Sequence, residues 1–122
     1  MKPNRVSSQF LEVVLKRRIK ALYQEQLNHE PKDIKIYYFD QTIIVIIDGI
    51  VTQTEKFLNQ HSQKFLAQQV SSVLSHLMES QLKSLIEEVM KVTVIDLLCK
   101  AKFETDRMGA IAIFEVHPNF YV

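Results

Sequence analysis

Between Ser62 and Lys91 apolar side chains fall at Leu66, Val70, Val73, Leu74, Leu77, Met78, Leu82, Leu85, Ile86, Val89 and Met90. That three- and four-residue spacing lays a wide apolar stripe along one side of a helix. At about 1.5 Å per residue the helix is roughly 45 Å long, more than a domain of this size needs to cross its own sheet. The excess is expected to act as a dimer arm. Strand-like runs come in pairs before and after it, so the helix must link two β-hairpins.

The first pair is Ile34 to Phe39 and Thr42 to Ile50, with only Asp40 and Gln41 between them, which leaves room for nothing but a tight turn. Ile43-Ile44-Val45-Ile46-Ile47 is apolar at both alternating sets and β-branched throughout. Such a strand needs cover on both faces, from helices on each side or from another subunit. The second pair is Val92 to Glu104 and Ala110 to Val116, joined by a turn over Thr105 to Gly109 and stopped by Pro118. Alternation predicts Ile95, Leu97, Cys99, Ala101 and Phe103 on the inner side of the third strand, with Asp96, Lys100, Lys102 and Glu104 in water.

Two further helices complete the chain. Ser7 or Ser8 caps the first, which turns Leu11, Val14, Leu15, Ile19 and Leu22 to one face and Lys16, Arg17 and Lys20 outward. It is expected to end near Gln26 to His29, ahead of Pro31. Thr52 and Glu55 match a capping box and start a short helix from Gln53 to about Gln60, with a break or kink before the long one. The predicted fold is a single α+β domain over residues 1–122, with residues 1–6 a flexible N-terminus. Its order is N-terminal helix, β-hairpin, short helix, long amphipathic helix, second β-hairpin. A four-stranded, largely antiparallel sheet packs on the helices.

Composition narrows the function classes. No apolar run reaches the roughly 18 to 20 residues of a membrane-spanning helix, and Met1 to Arg5 lacks a signal peptide's apolar segment. A cytoplasmic, soluble protein is the expectation, and the single Cys99 fits a reducing setting. Residues 1–36 hold eight Lys or Arg against four acids, yet the whole chain is only +1. That balance argues against nucleic acid as the main partner, which demands a concentrated positive surface.

Catalytic chemistry finds no constellation. Gly49 and Gly109 stand alone, so there is no phosphate-cradling loop. His29, His61, His76 and His117 lack metal-ligand spacing, and no cofactor is expected. Glu87 and Glu88 are adjacent on a helix and diverge, and Cys99 falls on an apolar strand face where a thiol is packing. Three groups of residues are singled out instead. Tyr37, Phe39, Ile44, Ile46, Leu77 and Leu85 are candidate interface positions. Asp48, Cys99 and Asp106 are candidates for a ligand pocket between the long helix and the sheet. Lys16, Arg17 and Lys20 are a candidate basic contact patch.

From Thr42 to Leu58 the run Thr-Ile-Ile-Val-Ile-Ile-Asp-Gly-Ile-Val-Thr-Gln-Thr-Glu-Lys-Phe-Leu resembles the MpsC-like family of small bacterial proteins. There a Val- or Ile-rich strand ends in an acidic residue, and "Leu-Thr-x-x-Glu" opens a helix. Asp48, Val51, Thr52 and Glu55 stand at the matching places. The likeness extends through Val70 to Val89, Val94-Ile-Asp-Leu-Leu and Thr105 to Val116, so it spans about Phe10 to Val116. The family's "Gly-x-Gly-Pro" turn is reduced to Asn28-His29-Glu30-Pro31, and its His near the end of the third strand gives way to Lys100-Ala101-Lys102.

The family is named for a Na+-translocating system that generates membrane potential. The resemblance therefore implies an accessory or regulatory protein rather than an enzyme. The expected function is a homodimer working through protein contacts, as the soluble partner of a membrane ion or inorganic-carbon transport protein. A small-molecule-sensing domain is the first alternative, and a nucleic-acid-binding module the second.

Overall fold

The computed structural model describes residues 8–116. The expected flexible segment 1–6, the Ser7 cap and the Pro118 stop lie outside the described residues. In chain order the elements are α1 (Ser8–Leu27), β1 (Asp33–Phe39), β2 (Thr42–Asp48), α2 (Gln53–Gln60), α3 (Lys64–Met90), β3 (Val92–Lys102) and β4 (Arg107–Val116). The α+β class and the order of elements are those read from the sequence.

Local chemistry sets most boundaries. The α1 helix closes where Asn28 takes a left-handed φ of 49°, with its N–H donating to the Gln24 carbonyl at 3.0 Å. This is the usual way a helix end satisfies its last carbonyls. Asp40, at φ 55°, opens the two-residue turn between β1 and β2. The capping box at α2 is complete: Thr52 Oγ1 accepts from the Glu55 N–H, while Glu55 Oε1 accepts from the Thr52 N–H at 2.9 Å. Ser62, at φ 63°, separates α2 from α3, so the long helix starts at Lys64 rather than Ser62. Lys91, at φ 58°, ends α3 and redirects the chain into β3.

The sheet order is β1-β2-β4-β3 with every neighbour antiparallel. The two hairpins thus join edge to edge through β2 and β4, and β2 and β3 run parallel. Antiparallel neighbours can be linked by a tight turn, but parallel strands require a crossover, which α2 and α3 supply. Ile34, Ile36, Ile43, Val45, Ile47, Val94, Met108, Ala110, Ala112 and Phe114 form the inner sheet face, packed with Leu15, Ile19, Tyr23, Met78, Leu82, Leu85, Ile86 and Met90 from α1 and α3. Full burial of a Leu or Ile stabilises by roughly 1.5–3 kcal/mol, and Leu15, Ile19, Ile43, Ile47, Leu82 and Ile86 are each almost wholly buried.

Three sequence expectations need correction. First, β4 begins at Arg107, not Ala110, because Gly109 pairs with Ile46 and Lys100 inside the sheet; the turn is over by Asp106. Second, the ladder of β3 slips between Val94 and Asp96, so Val92 and Val94 face the core while Ile95 turns outward, 63% exposed. A bulge of this kind breaks the two-residue period that placed Ile95 inside. Beyond it Leu97, Cys99 and Ala101 do face inward, and the strand ends at Lys102 rather than Glu104. Third, the α3 stripe is not uniformly buried. Met78, Leu82, Leu85, Ile86 and Met90 join the core, but Leu66, Val73 and Leu77 in the N-terminal part are exposed.

Candidate functional site

With α1 and α3 packed on one face of the sheet, the alternate residues form an outer face. The register lays them in rows across the four strands. Tyr37, Ile44, Ile111 and Leu98 make a central apolar row, and Phe39, Thr42, Ile113 and Asp96 make the next. On the other side of the central row lie Lys35, Ile46, Gly109 and Lys100, and beyond them Asp33, Asp48, Arg107 and Lys102. Tyr37, Phe39, Leu98 and Ile95 are each more than half exposed, and Ile111 is 39% exposed. Scattered apolar residues on a surface need no explanation, but a contiguous patch rimmed by charge is how interaction faces look.

Of the six candidate interface residues, Tyr37, Phe39, Ile44 and Ile46 share this outer face. Leu77 is exposed elsewhere, on α3. Leu85 is corrected: it is buried in the core, and its place in the helical stripe did not distinguish it from Leu77. Ile111, Ile113, Leu98 and Ile95 were not singled out from the sequence. For Ile111 and Ile113 alternation along β4 was the available signal; for Ile95 the bulge erased it.

The candidate ligand trio is not brought together. Asp48 is on the outer face, where Oδ1 accepts from Arg107 Nε at 2.5 Å and raises the guanidinium pKa by that hydrogen bond. Cys99 lies on the inner face. Asp106 sits in the β3–β4 turn and holds the Val51 N–H at 2.7 Å. The sheet itself stands between Asp48 and Cys99.

Cys99 instead lines a cleft of about 550 Å³ among α1, the start of α2, α3 and β3, together with Tyr23, Glu55, Ser71, His76 and Glu79. That volume is within the range of small-molecule sites. At its wall Glu55 is a buried carboxylate whose Oε2 accepts from Ser71 Oγ and whose Oε1 accepts from Thr52 Oγ1 at 2.8 Å. Burial, with Cys99 and Glu55 nearby, raises the Tyr23 pKa well above its ordinary value. Burial, with Glu79 nearby, pushes the Cys99 thiol up to about 11. The phenol and the thiol are therefore neutral at physiological pH, which suits hydrogen bonding and not nucleophilic attack.

The basic patch is diluted by acids. Lys16 pairs with Glu12 at 3.0 Å and Arg18 with Glu88 at 3.1 Å, while Arg17 and Lys20 are exposed. Tyr38 turns inward, its hydroxyl 3.5 Å from Met90 Sδ, so Tyr37, Tyr38 and Phe39 make no continuous stacking platform. Glu87 and Glu88 diverge as expected: Glu87 Oε2 accepts from the Val94 N–H at 2.8 Å, and Glu88 binds Arg18.

Among the described residues no group of three or more His, Cys, Asp or Glu is arranged to hold a metal ion. Nor is any described helix long and apolar enough to cross a membrane. Comparison with curated proteins and with solved structures finds no match. The family comparison does: residues 7–116 match the model described as "Na+-translocating membrane potential-generating system (MpsC)", nearly the whole chain, and the chain belongs to the MpsC family.

Proposed function

We propose that this protein is a non-catalytic accessory subunit that acts as a homodimer, joined through its outer sheet face, in the service of a membrane ion-transport system. The carrying observation is that face: four strands whose central row, Tyr37, Ile44, Ile111 and Leu98, is apolar from edge to edge and, among the described residues, has no helix over it. Burial of apolar area is the main driving force of association, and a second sheet is the simplest flat partner. The transport context is supported by the family description, which names a Na+-translocating system.

Light scattering and sedimentation test the physical half. The wild type is expected to be a dimer at micromolar concentration, and Ile44→Lys a folded monomer, because a lysine in the central row must be desolvated on pairing. A wild-type monomer at that concentration overturns the proposal. Recovery of the native protein with a membrane transport component tests the biological half; recovery with none counts against it.

The cleft favours a second reading, small-molecule sensing. Its support is a cavity of ligand size walled by the neutral Tyr23 phenol and the buried Glu55. A metabolite and nucleotide panel read by thermal shift decides it, since a ligand that binds only the native state raises Tm.

A further inference from the structure

The dimer reading leaves open how two copies face one another, and the register of the outer face carries it further. Two sheets packed face to face in a closed pair are related by a two-fold axis lying in the plane between them. An axis along the strands sets each row on the same row of the second copy. Asp33 then meets Lys102 and Asp48 meets Arg107, to which it is already paired within its own copy, but Lys35 falls on Lys100 and Phe39 on Asp96, each twice over. Facing lysines, and a carboxylate against the negative face of an aromatic ring, oppose that arrangement, whereas reversal of the strands sets the Lys35 cation on Phe39 instead.

An axis across the strands, along the central row, sets the row on one side against the row on the other. Lys100 of each copy then faces Asp96 of the second, and Arg107 faces Glu115 one row further out. The same operation brings Ile113 over Gly109. Gly109 is a notch in this face, since a Cβ there would meet nothing within 4 Å. Each contact occurs twice by symmetry.

Packed sheets cross at about 30°, which shifts a residue two positions from the axis sideways by about 3.4 Å, less than the roughly 4.8 Å strand spacing. A lysine on β3 therefore stays within reach of the facing aspartate. We infer that the partner of the outer face is a second copy of this chain with its strands reversed about the Tyr37–Ile44–Ile111–Leu98 row, so that Lys100 pairs with Asp96 across the interface in both directions. This rests on the sheet-face dimer proposed above.

Charge reversal tests it. Asp96→Lys and Lys100→Asp, each alone, are expected to weaken self-association more than about tenfold by sedimentation equilibrium, because each creates two like-charge contacts. The double variant Asp96→Lys/Lys100→Asp, and an equimolar mixture of the two single variants, restore opposite pairing and are expected to return within about threefold of wild type. Far-ultraviolet circular dichroism verifies folding of each variant at these exposed positions. If wild type is a dimer and the single variants associate as well as it does, or the double variant and the mixture stay as weak as the singles, the reversed arrangement is wrong while the dimer stands. A monomeric wild type removes both.

Discussion

The backbone N–H of Val51 donates a 2.7 Å hydrogen bond to Asp106 Oδ1, tying together residues 55 positions apart. In the same turn the Asp106 carbonyl accepts from the Gly49 N–H at 2.7 Å, and Asp106 holds a left-handed φ of 56°. The turn of the second hairpin thus clasps the exit of the first, just before Thr52 caps α2. This contact positions the helix that walls the cleft.

Asp106→Ala removes that acceptor and leaves a side chain poorly suited to positive φ. The two effects together are expected to cost about 2–3 kcal/mol in urea unfolding. Asp106→Asn keeps a carbonyl oxygen and tolerates the conformation, so it is expected to cost under about 1 kcal/mol. Equal losses for the two would show that the Val51 hydrogen bond contributes nothing specific.

Glu55 binds Thr52 through backbone and hydroxyl and Ser71 through its hydroxyl, all within one partly closed site. Glu55→Ala strands a buried N–H and is expected to destabilise by about 3 kcal/mol, lowering Tm by on the order of 10 °C. Thr52→Ala, which removes the cap hydroxyl but leaves the N–H bonded, is expected to cost only about 1 kcal/mol. Calorimetry on the two variants gives the order directly, and a milder Glu55→Ala would refute the assignment.

Gly49, at φ 79°, accepts His29 Nε2 on its carbonyl at 2.6 Å, and a Cβ built there would come within 2.7 Å of the Lys32 backbone nitrogen. Gly49→Ala is therefore expected to lose more than about 2 kcal/mol, the left-handed penalty and the backbone clash acting together. Guanidinium melts that leave the midpoint unmoved would contradict this.

Cys99 has its folded-state pKa pushed up to about 11 from the ordinary thiol value of 9.0, burial being the first cause and Glu79 the second. A raised pKa favours the neutral thiol in the folded state, so its contribution to stability is whole below pH 9 and fades as pH rises toward 11. Tyr38, pushed up to about 12 by burial and Glu12, extends the same alkaline loss. At pH 8 alkylation of native Cys99 is expected to run about 100-fold slower than that of an unperturbed thiol, with the difference abolished by unfolding. Equal rates in the native and unfolded protein would place Cys99 outside the cleft wall.

Much of the architecture was legible because it is written in short-range chemistry. Thr52 and Glu55 announce a helix start whatever lies around them, Pro31 and the Asp40-Gln41 pair end and turn the chain, and the β-branched run of β2 has one secondary structure open to it. The doubly apolar β2 also foretold apolar side chains on both faces of the sheet. The candidate site was less legible because it depends on which side of an element looks inward.

The apolar spacing joins Leu77 and Leu85 in one wide stripe of α3, yet Leu77 is exposed and Leu85 lies in the core, because at about 100° per residue Leu77 turns with Leu66 and Val73 away from the side that carries Met78, Leu82, Leu85 and Ile86. Asp48 and Cys99 belong to opposite faces of a sheet, a separation settled by pairing register rather than by residue type. The bulge at Ile95 reversed the phase of one strand end. Local propensity, capping and hydrophobic period determined the elements and their order, because those forces act within a few residues. Only tertiary packing decided which apolar surface stayed bare, because burial of one face is settled jointly by residues distant in sequence.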